Sequence, residues 1–201
     1  AGLERFALFG ISQGVGVSIA YAVRHPERVS RLILHAGYLR GWRARGSPEE
    51  VERREAMSRL ILSGWGQDNP AFRQIFTTFY IPEGTPEQMQ WFNELLRVST
   101  SPANALRLVD AFSRIDVTAL APQVRAPTLV LHARHDAAIP FDQSRALASL
   151  IPGARFVPLD GRNHILLQHE PAWPRFVAEV RAFLAEDADP ALAASQISGG
   201  D

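Results

Sequence analysis

A serine stands between two glycines in the run Gly10–Gly14 (sequence GISQG), directly after the apolar segment Phe6–Phe9. This pattern is typical of a nucleophile elbow, in which a strand turns sharply into a helix and holds the serine at the turn. We expect glycine at both ends of the run because the turn brings backbone segments close together. The hydroxyl of Ser12 would then lie above the sheet, and the backbone N–H of Gln13 would serve as an oxyanion donor beside it. Ser12 is therefore the candidate nucleophile.

An acid and a histidine follow the serine along the chain, each after a predicted strand. Asp136 follows the apolar segment Pro127–His132, and His164 follows the segment Arg155–Leu159. A serine hydroxyl needs an imidazole to take its proton, and the imidazole needs a carboxylate to fix its tautomer and stabilise its charged form. The sequence thus predicts Asp136 as the orienting acid and His164 as the general base.

Asp142 and Asp160 compete with Asp136 for the role of the acid, and Asp136 is favoured because it follows a strand end, where the triad acid belongs. Asp142 is expected to begin a helix, where the dipole favours a carboxylate, and Asp160 is expected to shape a loop. His132 and His135 flank the predicted acid, but three residues apart on a strand-to-loop segment they do not share a face as two helical metal ligands would. The sequence therefore predicts no metal site and no cofactor.

Further histidine and aromatic residues have a structural interpretation and a functional one. His35 ends a predicted strand and could border the pocket, although a structural role is favoured. Six aromatic residues have spacings that suit helices facing a core, and core packing is favoured over an apolar acyl pocket. They are Trp65, Phe76, Phe79, Tyr80, Trp91 and Phe92.

Alternating strands and helices must position these residues. Nearly continuous apolar strands favour a mostly parallel sheet with helices on both faces, which is an α/β fold. Strands are predicted over residues 3–9, 31–36, 127–133 and 154–159, and helices over 13–25, 141–150 and 170–185.

A long helical stretch interrupts this alternation and is predicted to form a cap over Ser12. Its helical patterns cover residues 48–62, 71–79, 86–98 and 102–111. We therefore divide the chain into a first core segment, a cap insertion, a second core segment and a flexible tail, at residues 1–39, 40–120, 121–186 and 187–201.

The composition limits the classes of function. The chain has 201 residues, of which 46% are hydrophobic, which is enough for a buried core. Its 21 basic and 21 acidic residues balance, so neither nucleic acid nor an anionic membrane is predicted as a partner. Cysteine is absent, which excludes disulfides and thiol catalysis. No apolar run reaches the ~20 residues of a membrane span, and the start does not resemble a signal peptide, so we expect a cytoplasmic protein.

Taken together, the elbow with residues 21–29, the Asp136 segment and the His164 segment resemble the carboxy-terminal two-thirds of an α/β-hydrolase. The resemblance covers about residues 1–185 and implies a truncated α/β-hydrolase fold with an inserted helical cap. Residues 64–72 and 163–167 are also similar to hydrolase domains that bacteria fuse to LuxR-type regulators or adenylate cyclases. When the family's catalytic residues are matched to this sequence position by position, the resemblance implies the triad of Ser12, Asp136 and His164.

The resemblance implies a serine hydrolase that cleaves a small carboxylic ester or a related acyl bond. Perhydrolysis uses the same triad and is not separated from hydrolysis by the sequence. A second hypothesis is a ligand-sensing module of a signalling protein, with weak or no catalysis.

The sequence starts almost immediately before the elbow strand. Complete family members have earlier strands, including a loop that supplies a second oxyanion donor. The strand predicted over 3–9 would then present a bare apolar edge, and such edges invite pairing with another chain. We therefore expect a homodimer or association through this edge.

Overall fold

The computed structural model describes residues 2–186, and the predicted tail at 187–201 lies outside them. None of the helices in this range is long and apolar enough to cross a membrane. The elements are β1 (Phe6–Ile11), α1 (Gly14–Arg24), β2 (Val29–His35), α2 (Trp42–Arg45), α3 (Pro48–Gly64), α4 (Ala71–Tyr80), α5 (Pro86–Ser99), α6 (Pro102–Ser113), β3 (Thr128–Ala133), α7 (Phe141–Leu150), β4 (Arg155–Leu159) and α8 (Ala172–Ala185), with a short 3-10 turn at Ala121–Gln123.

The four strands form one parallel sheet in the order β1-β2-β3-β4. Successive side chains of β2 point to opposite faces, as the pleat requires. Leu32 and Leu34 pack with α1 and α7 on one face, whereas Ile33 packs with α8 on the other. The predicted α/β architecture, a mostly parallel sheet covered on both faces, is confirmed.

The first strand is displaced from its predicted position. It begins at Phe6 rather than at residue 3, because its pairing with β2 starts where Phe6 lies opposite Val29. The residues before it are held by Arg28, whose guanidinium donates to the carbonyl oxygen of Leu3 at 2.6 Å. The strand also extends to Ile11, so that Ser12 follows it directly.

Helices α2–α6 lie between β2 and β3 and make up the inserted helical segment. Three of them begin in the same way, with a hydroxyl residue followed by a proline. The side chains of Ser47, Thr85 and Ser101 each accept a hydrogen bond from the backbone N–H three residues on. The proline at the first helical position has no N–H to leave unpaired. These caps fix where α3, α5 and α6 start.

A buried arginine, Arg73 on α4, holds the helices of this segment together. Its guanidinium donates to the carbonyl oxygens of Trp65 at 2.9 Å and Asn93 at 3.0 Å, and also to that of Gln67. A buried cation needs such acceptors, because an unpaired buried charge costs several kcal/mol. Arg73 therefore links α4 to α5 and to the end of α3, a role that sequence patterns did not indicate.

Candidate active site

Ser12 lies on the turn between β1 and α1 in a strained backbone conformation. Its φ is 55°, in the left-handed region that residues other than glycine rarely adopt. Its N–H donates to the carbonyl oxygen of His35 at 2.9 Å, and its carbonyl oxygen accepts from the N–H of Val15 at 3.1 Å. Such strain persists only where the surrounding structure enforces it, and it clusters at functional sites.

The two glycines of the elbow have different surroundings. A Cβ added at Gly10 would lie 2.5 Å from Ser18 Oγ and 2.9 Å from the carbonyl oxygen of Gly14. A Cβ added at Gly14 would meet nothing within 4 Å among the described residues. The close approach expected at both positions is therefore found at Gly10, whereas at Gly14 the space is open because the chain has already entered α1.

Asp136 and His164 meet above the carboxyl ends of β3 and β4. Two backbone hydrogen bonds join their loops, from the N–H of His135 to the carbonyl of Gly161 (3.1 Å) and from the N–H of Ala137 to that of Arg162 (3.2 Å). His164 Nδ1 lies 2.7 Å from Asp136 Oδ2. An ionised carboxylate only accepts, so Nδ1 carries the proton and Nε2 is left to act as a base.

The carboxylate of Asp136 is held on both oxygens. Its Oδ1 accepts from the backbone N–H groups of Ala138 at 2.8 Å and Ile139 at 2.9 Å. Burial would raise the pKa of Asp136, but hydrogen bonds from His132 and His164 outweigh it and hold that pKa well below its usual range. Asp136 is therefore ionised at neutral pH.

His132 also contacts the acid, a contact that the sequence analysis missed. Its Nε2 lies 3.2 Å from Asp136 Oδ2 and 3.1 Å from the carbonyl oxygen of Ile139. Its Nδ1 lies 2.6 Å from Ser144 Oγ, which also bonds to the carbonyl of Gly37 at 2.9 Å. No spacing rule pairs a buried strand histidine with the acid of the following loop, so no signal in the sequence pointed to this contact.

The structure separates the remaining candidates from His164. Asp142 lies in the first turn of α7 and pairs with Arg145 at 3.0 Å, and Asp160 is exposed. His135 is exposed while His132 is buried, so the two histidines do not face a common site. Within residues 2–186, no group of three or more histidine, cysteine, aspartate or glutamate residues is arranged to hold a metal ion.

A cavity of about 110 Å³ lies between the sheet and the cap, and Ser12, Gln13 and His164 line it together. His164 Nε2 is buried and has no hydrogen-bond partner among the described residues. Tyr80, at the end of α4, packs its ring 5.7 Å from the His164 ring, and its carbonyl oxygen accepts from the His164 N–H at 2.9 Å. The cap thereby fixes the position of the histidine.

The aromatic residues divide between lining and packing. Phe76, Phe79 and Tyr80 line the cavity. Trp65 and Phe92 are buried, in agreement with the core interpretation, but they also line an adjoining pocket that reaches Ser12 and His164. For Trp91 that interpretation is wrong, because 63% of its surface is exposed.

His35 lies beneath the site rather than in the cavity. Burial, reinforced by the nearby His164 and His132, lowers the pKa of His35 to about 4, so the ring is neutral at neutral pH. Its ring packs edge-on against Phe176 with 5.4 Å between the centroids. The position agrees with the structural role favoured from the sequence.

Comparison with known proteins gives a consistent family assignment. Residues 1–170 match a family model described as the alpha/beta hydrolase fold. The chain is 28% identical over 170 residues to a Klebsiella pneumoniae protein named "Putative carbamate hydrolase RutD", covering 82% of this chain and 60% of that protein. It is also 28% identical over 193 residues to the pyrrolizixenacetamide deacetylase of Xenorhabdus hominickii, covering 92% of this chain and 67% of that protein.

A solved structure shows the same similarity. The enol-lactonase of Burkholderia xenovorans superimposes with a TM-score of 0.71 at 27% identity, covering 92% of this chain and 67% of that one. The chain thus spans between about three-fifths and two-thirds of the length of these relatives.

Proposed function

The chain belongs to the α/β-hydrolase family, and on that basis we propose that it is a serine hydrolase that cleaves a small carboxylic ester or a related acyl bond. One observation carries the proposal. His164 is held by Asp136 through Nδ1, and its unpartnered Nε2 belongs to a residue that lines the same cavity as the strained Ser12. The similar proteins are named as a putative carbamate hydrolase, a deacetylase and an enol-lactonase, and hydrolysis of a carbamate, an acetyl derivative or a lactone is in each case attack on an acyl carbon.

In the first half of the proposed reaction, Ser12 Oγ attacks the carbonyl carbon of the ester while His164 Nε2 takes the hydroxyl proton. The carbonyl π electrons move to oxygen, and the backbone N–H of Gln13, at the amino end of α1, stabilises the resulting oxyanion. The imidazolium is stabilised by the ionised Asp136. Collapse of the tetrahedral intermediate breaks the bond to the alcohol oxygen, which leaves with the proton from His164.

In the second half, water attacks the acyl-enzyme by the same route. His164 takes a proton from the water as its oxygen bonds to the acyl carbon, and the oxyanion forms again beside Gln13. Breaking the bond to Ser12 Oγ returns the proton to the serine and releases the carboxylic acid. The cycle consumes one water for each ester and needs no cofactor.

The test is intact-mass analysis after treatment with a fluorophosphonate, which labels activated serines. We expect one adduct per chain, lost in Ser12→Ala and kept in the matched control Ser58→Ala. Ser58 also lines the cavity, but its hydroxyl bonds to the carbonyl of Arg54 rather than to a histidine. Retention of the adduct in Ser12→Ala would place the nucleophile elsewhere. Absence of any adduct in the unmodified chain would mean that the triad is idle, and would favour a ligand-sensing role.

A further inference from the structure

The cavity beside Ser12 carries positive charge in walls that are mainly apolar and aromatic. Arg45, from the end of α2, and Arg54, from α3, both line it. No aspartate or glutamate does so among the described residues. A guanidinium facing a pocket walled by aromatic rings is poorly solvated, so an opposite charge placed there is held strongly.

Arg45 is the less satisfied of the two arginines. Only 8% of its side chain is exposed, yet its Nε has no hydrogen-bond partner among the described residues. Its nearest carboxylate oxygen, Glu50 Oε1, is 3.8 Å from Nη1, which is beyond hydrogen-bond distance. Buried polar groups in native proteins are nearly always paired, so a guanidinium left this poorly paired in a residue that lines a cavity points to a partner supplied by a ligand.

Arg54 is partly engaged with the protein. Its Nη2 donates to the carbonyl oxygen of Ala138 at 3.1 Å, and its Nε is 3.5 Å from Glu50 Oε1. The single carboxylate of Glu50 is therefore shared by two guanidinium groups, which leaves a surplus of one positive charge. That surplus matches a monoanion.

We propose that Arg45, supported by Arg54, binds a carboxylate group of the substrate, so that the preferred substrates are small esters or amides that carry a free carboxylate away from the scissile bond. This substrate class rests on the proposed hydrolase function and deepens it. The planar guanidinium suits a carboxylate, to which it can donate two parallel hydrogen bonds.

The test separates binding from turnover by using Ser12→Ala, which retains the cavity but lacks the nucleophile. Calorimetry would compare monoethyl glutarate with its carboxamide isostere, which has the same shape and no charge. A charge-assisted pair of hydrogen bonds predicts a Kd at least tenfold lower for the carboxylate. Adding Arg45→Gln should reduce that ratio toward one. Adding the matched control Arg53→Gln, an exposed arginine on α3, should not change it.

Turnover of the same two esters by the unmodified chain provides the second readout, with an expected preference of at least tenfold in kcat/KM for the carboxylate ester. Equal affinities of Ser12→Ala for the two compounds, or a preference that survives Arg45→Gln, would overturn this inference even if the fluorophosphonate adduct forms. A clear binding preference without adduct or turnover would instead retain the anion site and refute the hydrolase.

Discussion

At the scale of single residues, Asp136 is the side chain on which the other groups of the site depend. It receives hydrogen bonds from two histidines and two backbone N–H groups. The contact with His164 was predicted from the order of residues in the chain, whereas the contact with His132 was not. The structure therefore adds a positioning residue behind the acid, because His132 touches Asp136 but does not line the cavity.

This arrangement predicts different outcomes for two amide substitutions of His132. In His132→Gln the amide can replace Nε2 and keep the contact with Asp136, whereas in His132→Asn it can replace only Nδ1, on the Ser144 side. We expect kcat of the Asn variant to fall about tenfold below that of the Gln variant, with KM unchanged, because a hydrogen bond to a charged group is lost. Steady-state kinetics on one ester would measure this. Equal kcat values would show that His132 only fills space.

At the scale of elements, the elbow depends on a close approach at one of its glycines. Gly10 faces Ser18 Oγ and the backbone of Gly14, whereas Gly14 itself faces open space. The five-residue pattern predicted a close approach at both glycines, because a sequence motif does not show in which direction a Cβ would point.

We therefore expect substitution by alanine to destabilise the protein at Gly10 but not at Gly14. Gly10→Ala should lower the free energy of unfolding by about 2 kcal/mol or more, because the added methyl overlaps packed atoms. Gly14→Ala should change it by less than about 0.5 kcal/mol, because the position is open and begins a helix. Urea unfolding followed by circular dichroism would compare them. Similar losses in both variants would contradict the assigned geometry.

At the scale of the whole molecule, the described sheet leaves one side of β1 without a neighbouring strand. Apolar side chains lie on and beside this strand, with Phe9 48% and Val17 68% exposed. Unpaired strand edges with apolar surroundings promote association between chains. Association through this edge, expected from the sequence, remains a prediction for this chain.

Sedimentation velocity over a range of concentrations would test this association. We expect the 201-residue chain to sediment as a dimer or larger species, and Phe9→Arg to shift it toward monomer by placing a charge on the edge strand. Trp91→Arg is the matched control, because it removes an even more exposed aromatic residue from α5, away from the sheet. A monomer at every concentration would rule out the predicted association.

The sequence by itself determined the family and the alternation of elements, because these depend on local patterns. The elbow motif, the order of serine, acid and histidine, and the apolar strands are all properties of short segments. The boundaries were predicted less accurately: β1 was expected from residue 3 but begins at Phe6, where its pairing with β2 begins.

Only the tertiary structure decided which side chains meet across distant segments. His132 contacts Asp136 because the acid loop folds back over the end of β3, and Arg45 reaches the cavity because α2 packs against α3 and α6. Arg73 is buried because carbonyl oxygens from α5 and from the segment that follows α3 converge on it. Each of these contacts depends on the packing of distant elements, which no local sequence pattern shows, so the proposed preference for a charged substrate could be argued only from the folded molecule.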